Sequence, residues 1–251
     1  NMGTAILERV AKAYKVIVCE ENTERAQFLR RKYKVTCADF ETAVKKADII
    51  IIAVKPQDID GVLECMSAWA GKKLVISIAA GITTPYLEKK LGAGARVIRT
   101  MPNMPAQIGE GITAVCGGKS VKSADIKLAQ RIFNCVGKTI IVEESLIDAV
   151  TAVSGSGPAY VFLFVECLMR AAGSFGFDEK TAKELVYQTL LGSAHLLAQS
   201  KDSAAELRAK VTSKGGTTQA AADVFTAHNI EKVFIEALEA AKKRAGELAK
   251  Q

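Results

Sequence analysis

The chain has 251 residues, with 34 Lys and Arg against 27 Asp and Glu, which leaves a net charge of +7. Its 49% hydrophobic and 24% charged residues, with five prolines and 19 dispersed glycines, exclude a collagenous, low-complexity or disordered chain. The apolar runs at 47–54 and 74–82 are too short or too interrupted to span a bilayer, and Asn1-Met2-Gly3 does not open a signal peptide. A soluble protein without a membrane partner is expected. The basic residues are scattered and aromatics make up only 6%, which argues against a nucleic-acid stripe. Six cysteines occur singly, none in a CxxC pair, beside only two histidines, so no metal site is expected. Cys19, Cys37 and Cys135 lie in or beside apolar segments and read as buried free thiols, which suits a reducing cytoplasm.

Up to about residue 144, short β-branched runs alternate with amphipathic stretches. Strands are predicted at 15–19, 34–37, 48–54, 74–79 and 96–101, and helices at 4–13, 23–32, 57–69 and 84–91. The nearly unbroken apolar runs 49–52 and 75–78 mark strands covered on both faces. A strand at 112–116, a helix around 123–135 and a strand at 139–142 extend the same sheet. This alternation gives βαβ units and a doubly wound parallel sheet. Beyond Glu144 no strand is predicted, and the chain reads as helices broken at 155–158, 173–177, 200–203, 213–218 and 228–229. The expected organisation is an α/β domain over 1–144 and an all-helical domain over 145–251.

The α/β half carries features of a dinucleotide site. Such domains open with a strand, then G-x-G-x-x-G, then a helix. Asn1-Met2-Gly3 leads directly into a helix, so Gly3 stands as the third glycine of that fingerprint. The first strand and the first two glycines are missing from this chain and are expected upstream, in a longer protein. After the strand at 15–19, Glu20 suits the hydroxyls of an adenosine ribose, whereas Asn22 and Arg25 suit a ribose 2′-phosphate, which Glu20 would repel. A solvated loop accounts for the same charges. Ala53-Val54-Lys55-Pro56, Ile78-Ala79-Ala80-Gly81 and Arg99-Thr100-Met101-Pro102-Asn103 end three successive strands. Ligands of open α/β sheets bind beyond the carboxyl ends of strands, and small residues there let a flat cofactor approach the backbone. Three such tips on one edge favour a site.

The helical half contains two distinctive turns. Ser154-Gly155-Ser156-Gly157-Pro158 precedes a long apolar helix, where Ser156 suits the N-cap and Pro158 the first turn. Ser213-Lys214-Gly215-Gly216-Thr217-Thr218 joins two glycines and two hydroxyls at a helix start, a nest of N–H groups suited to a carboxylate or phosphate. A plain helix–helix turn has the same composition. The helices at 159–172 and 181–198 are apolar around most of their circumference. A homodimer through 145–251, or a larger ring built from it, is expected to cover them. His195 and His228 read as structural or exposed.

In this order and spacing, AVKP, IAAG, RTMPN, AVSGSGPAYVF and VTSKGGTT resemble the pyrroline-5-carboxylate reductases, from Asn1 to about Lys250. The resemblance implies reduction of 1-pyrroline-5-carboxylate to L-proline with NADP(H) or NAD(H), the last step of proline biosynthesis. It implies an N-terminal Rossmann domain and a helical domain that interlocks with a partner subunit. Cofactor contacts then fall on Asn1, Met2, Gly3, Asn22, Arg25, Ala53, Val54, Lys55, Pro56, Ile78, Ala79, Ala80 and Asn103. Ser213, Gly215, Gly216, Thr217 and Thr218 grip the substrate carboxylate, and Thr218 is the catalytic group beside the imine nitrogen. Lys214 stands where the family often has proline, which leaves the glycines and threonines of the motif intact. The family leans towards NADP(H), while Glu20 argues for NAD(H).

A protonated cyclic imine accepts hydride directly, so the chemistry asks for no His–Asp or Cys–His constellation. Two rival readings remain open. A hydroxy-acid dehydrogenase of the same architecture would need a lysine acid/base where this chain has SGSGPAY. A non-catalytic helical assembly module would retain only a damaged nucleotide fold.

Overall fold

The computed structural model describes residues 2–71 and 73–249. Two compact units emerge, one made of the residues up to Pro158 with those from Ala240 on, the other of Ala159–Glu239. The chain opens with α1 (Met2–Val10), β1 (Ile17–Val18), α2 (Thr23–Tyr33), β2 (Thr36–Cys37), α3 (Phe40–Lys46), β3 (Ile49–Ile52) and α4 (Ile59–Ala70). There follow β4 (Leu74–Ser77), α5 (Thr84–Leu91), β5 (Arg96–Pro102), β6 (Gly111–Gly117), α6 (Ser123–Phe133), β7 (Gly137–Ile141) and α7 (Ile147–Val150). The rest is α8 (Gly157–Ser174), α9 (Glu179–Gln199), α10 (Ala204–Lys210), α11 (Thr217–Ala227) and α12 (Ile230–Leu248). The chain changes unit inside α8 and again inside α12. No strand follows Ile141 among the described residues.

In the first unit β3, β4, β5, β6 and β7 form one sheet in that order, while β1 and β2 pair parallel in a separate ribbon. Val44, Leu63, Met66, Leu87 and Leu91, from α3, α4 and α5, pack with Val75 and Val97 on one face. Ile6 and Val10 of α1, with Ala129, Ile132 and Phe133 of α6, pack with Leu74, Ile76 and Ile98 on the other. Successive strand residues therefore alternate between two helical layers, the doubly wound arrangement. Each aliphatic side chain fully buried in this way contributes about 1.5–3 kcal/mol.

Three expectations change. The sheet is mixed rather than all parallel, because β5 and β6 run antiparallel. The connection 103–110 is too short for a helical crossover, which takes about a dozen residues or more. β6 and β7 are again parallel, joined through α6. Helix α3 is absent from the predicted elements. Asp39 caps it by accepting from the Thr42 N–H at 2.8 Å, and only Ala43 and Val44 are buried, too narrow a stripe for periodicity to reveal. Among the cysteines, Cys116 on β6 is the buried one, Cys37 and Cys135 are half-buried, and Cys19 is exposed. Strand β1 stops at Val18, which leaves Cys19 in the open turn before α2.

Candidate active site

The N-terminal end of α1 meets the tip of β3. A Cβ on Gly3 would stand 3.1 Å from Ala53 Cβ, the close helix–strand approach that a fingerprint's third glycine permits. Met2 packs beside the core under α1, and Asn1 lies outside the described residues. The first turn of α1 carries no acidic residue, so its partial positive charge stands unopposed. Beyond β1, Asn22 caps α2 by accepting from the Arg25 N–H at 2.8 Å, and its own N–H donates to Glu20 Oε1 at 3.2 Å. Arg25 pairs with Glu20 at 3.1 Å and donates to Thr4 Oγ1 at 3.0 Å. The two groups read as alternatives for the ribose end thus sit in one ion pair.

The tips of β3, β4 and β5 share the carboxyl edge of the parallel part of the sheet. At the first, Ala53 and Lys55 are exposed and Val54 is half-buried. Pro56 opens a short 3-10 turn ahead of α4, where its missing N–H is not needed. At the second, Ile78 and Ala80 are half-buried and Ala79 is buried. The Ala79 N–H donates to Ser77 Oγ at 3.2 Å, and Thr100 Oγ1 donates to the Ser77 carbonyl at 3.0 Å. Gly81 follows with φ 79°, and a Cβ there would stand 3.1 Å from the Leu248 backbone. Exposed Ala53 and half-buried Ala80 leave only small side chains at these two tips. At the third tip the Asn103 side chain is occupied within the protein. It accepts from the Ile112 N–H at 2.9 Å and donates to Ser154 Oγ at 3.3 Å.

Ser154 belongs to a π-helical turn, Thr151–Gly155, in which the Ser156 N–H donates to the Thr151 carbonyl at 2.8 Å. Gly155 lets this turn lie on β5, since a Cβ there would be 2.6 Å from Met101 Cε. Further down the same strand Arg99, only 2% exposed, donates to Glu144 at 2.6 Å and lies 3.6 Å from Asp148. Glu144 also accepts from Thr84 Oγ1 at 2.7 Å, from the Thr84 N–H at 3.4 Å and from Cys116 Sγ at 3.4 Å. Burial raises the Glu144 pKa, but the hydrogen bonds from Thr84 and Arg99 and the guanidinium charge outweigh it, and the carboxyl ends below its ordinary value. Burial, with the neighbouring Glu144, pushes the Cys116 thiol up to about 12, which leaves it inert. The sequence reading places Arg99 at the third strand tip and Ser154 in the turn before α8, and assigns no individual role to either, nor to Glu144 or Asp148. The available signal was a charge inside RVIRTM, in register with buried Val97.

In the second unit the turn before α11 has Gly215 at φ 71°, and the Gly216 N–H donates to the Ser213 carbonyl at 3.0 Å. A Cβ on Gly216 would collide with Ser213 Oγ. Helix α11 has no side-chain cap, so the first-turn N–H groups stay open to solvent or a ligand, beside the exposed hydroxyls of Ser213, Thr217 and Thr218. His195 and His228 are exposed. The helices leave much apolar surface in water, including Phe162 and Phe164 on α8, Leu191 and Leu196 on α9 and Phe234 on α12. Residues 144–174 also form a helical run long and apolar enough, by length and composition alone, to cross a membrane. The sequence reading missed this run because Glu144, Asp148, Glu166 and Arg170 punctuate it.

Residues 144–248 match the family described as pyrroline-5-carboxylate reductase dimerisation, and residues 1–81 match the NADP oxidoreductase, coenzyme F420-dependent family. The pyrroline-5-carboxylate reductase of Synechocystis is 39% identical, with 100% of this chain and 96% of that protein covered. The solved structure of a pyrroline-5-carboxylate reductase from Coxiella burnetii is 37% identical with a TM-score of 0.93, covering 100% of this chain and 96% of that one. The Plasmodium falciparum enzyme, solved with NADP bound, is 30% identical with a TM-score of 0.88, covering 99% and 94%. With such identity across almost the full length of its relatives, the chain belongs to the pyrroline-5-carboxylate reductase family.

Proposed function

We propose that this chain reduces 1-pyrroline-5-carboxylate to L-proline, as an oxidoreductase acting on a CH–NH bond in the final step of proline biosynthesis. The observation that carries this reading is similarity to pyrroline-5-carboxylate reductases along 100% of the chain. Small-residue tips on one sheet edge support it. In this reading residues 1–144 bind the dinucleotide, and residues 145–251 bind substrate and dimerise.

Bound NADP(H) or NAD(H) supplies the hydride. The α1 end, with Met2 and Gly3, attracts the pyrophosphate through its dipole, and the sequence adds Asn1 to these contacts. Asn22 and Arg25 take the 2′-phosphate end, and Ala53 to Pro56, Ile78 to Ala80 and Asn103 shape the nicotinamide end. The open N–H groups around Gly215, Gly216 and Thr217, with the Ser213 hydroxyl, hold the substrate carboxylate. The Thr218 hydroxyl lies beside the imine nitrogen and steadies its proton. As the imine carbon receives hydride, the C=N π pair returns to nitrogen and the secondary amine of proline results. No side chain has to act as a nucleophile, in keeping with a site made of tips, glycines and hydroxyls.

The exposed apolar faces of α8, α9 and α12 and the match to a dimerisation family support a homodimer. In the same reading the dimer can serve as the unit of a larger ring, and neither nucleic acid nor a membrane is a partner. A cytoplasmic setting suits six cysteines that are all unpaired. The test is oxidation of reduced cofactor by the protein with pyrroline-5-carboxylate and, separately, reduction of oxidised cofactor with a panel of 2-hydroxy acids. Turnover of the imine alone, with proline as product, is the expected result, and turnover of hydroxy acids alone would overturn it.

A further inference from the structure

We propose that Glu144 is a positioning residue for hydride transfer, an inference that rests on the function proposed above. Its carboxylate, held by buried Arg99, fixes the start of α5 behind the β4 tip. The segment it opens is fixed at the other end by the hydrogen bond between Ser154 and Asn103. Arg99 and Asn103 belong to one continuous stretch of β5 and its tip, so a single strand carries both anchors. Between them lie α7 and the π-helical turn, a backbone form that is rare and recurs at functional sites.

The tip loop 78–84 is held in the same way at its two ends. Ser77 Oγ takes the Ala79 N–H, and Glu144 takes both the hydroxyl and the N–H of Thr84. Glu144 thus ties the far end of the second sheet tip to Arg99 of β5, the strand whose tip residue Asn103 also holds the turn 151–155. With Arg99 buried and Glu144 partly exposed, the pair contributes to stability, and it also fixes the geometry of the elements it joins. Hydride transfer is sensitive to that geometry, since a misplacement of about 1 Å can cost about a hundredfold in rate.

The experiment compares the wild-type chain with Glu144→Gln, which keeps the shape and removes the charge. Four quantities are read: amide hydrogen exchange, NADPH affinity by fluorescence titration, kcat, and the primary isotope effect with 4-deuterated NADPH. The expected result is faster exchange at 78–87 and 151–156 with a dissociation constant within about twofold of wild type. With it, kcat falls about tenfold or more and the isotope effect rises, because hydride transfer has slowed relative to product release. An unchanged kcat overturns the proposal, and so does a lower kcat with an unchanged isotope effect, which is the mark of a smaller folded fraction. If Glu144→Gln shows no cooperative thermal transition, Thr84→Val, which removes one donor, is judged by the same four readings. A wild-type chain unable to reduce the imine overturns the functional reading and this role with it. An active wild type with an indifferent variant overturns only the role of Glu144.

Discussion

Glu20 and Arg25 form a 3.1 Å ion pair at the turn between β1 and α2, and Arg25 reaches on to Thr4 of α1. The pair ties the turn after β1 to the first turn of α1. It also sets the two cofactor phosphate preferences against each other. Arg25→Ala is expected to lower kcat/KM with NADPH about tenfold and to leave NADH within about twofold, since a charge-assisted hydrogen bond contributes about 1.5–3 kcal/mol. Glu20→Gln frees the guanidinium and should shift preference further towards NADPH. Steady-state kinetics with both cofactors check this, and equal losses for the two would remove the phosphate role of Arg25.

A second expectation concerns the uncapped start of α11. Thr218→Ala should reduce catalytic efficiency about ten- to a hundredfold with cofactor affinity unchanged, because a desolvated partner is left unpaired. Gly216→Val should be more damaging, as its side chain would enter the proposed anion site. Full efficiency in Thr218→Ala, together with a folded and active Gly216→Val, would move the carboxylate elsewhere.

The apolar helices give a third. Phe162 and Phe234 are each 53% exposed. Phe162→Asp and Phe234→Asp place a charge where a partner helix is expected, and light scattering should report a shift from dimer towards monomer at micromolar concentration. A wild-type chain that is already monomeric at that concentration would end the dimer reading.

Gly137 supplies a purely structural expectation. It has φ 144° and faces Gly111 across the β6–β7 pairing, where a Cβ would run into the Gly111 carbonyl oxygen. Gly137→Ala should therefore cost about 3 kcal/mol or more, through strain and a clash with backbone that cannot move aside. Urea unfolding measures it, and a midpoint equal to wild type would show that the two strands part without penalty.

Acid sensitivity should trace to Glu144. Its folded-state pKa lies below the ordinary 4.5, so its contribution to stability is complete above that value. The contribution fades as the pH falls through the lowered pKa and Arg99 loses one of its two carboxylate partners. Wild type should lose stability more steeply than Glu144→Gln below about pH 4.5. Parallel stability curves for the two proteins in that range would contradict the assignment.

Much of the first unit could be read from residue order. Runs such as Ile49–Ile52 and Leu74–Ser77 announce strands covered on both faces, and the residues after them announce tips. The reversal of β6 could not be read, because alternation of side chains carries no sense of direction. The commitment of the Asn103 amide was equally hidden, since its partner Ser154 lies 51 residues further on. Arg99 and Glu144 were invisible for a related reason: two charges 45 residues apart reveal a buried pair only once the sheet and α7 bring them together.

The return of α12 to the first unit has a consequence for synthesis. Ala245 is buried there, the Leu248 backbone closes over Gly81, and Gly246 lies beside Asp148. A nascent chain that has emerged only as far as β7 thus lacks the piece that covers the β4 tip. Domains tend to complete as units during translation, from the N-terminus onward. This one must wait through the whole helical segment for its last part, and over that interval the tip stands open to chaperones and to neighbouring chains on the same message.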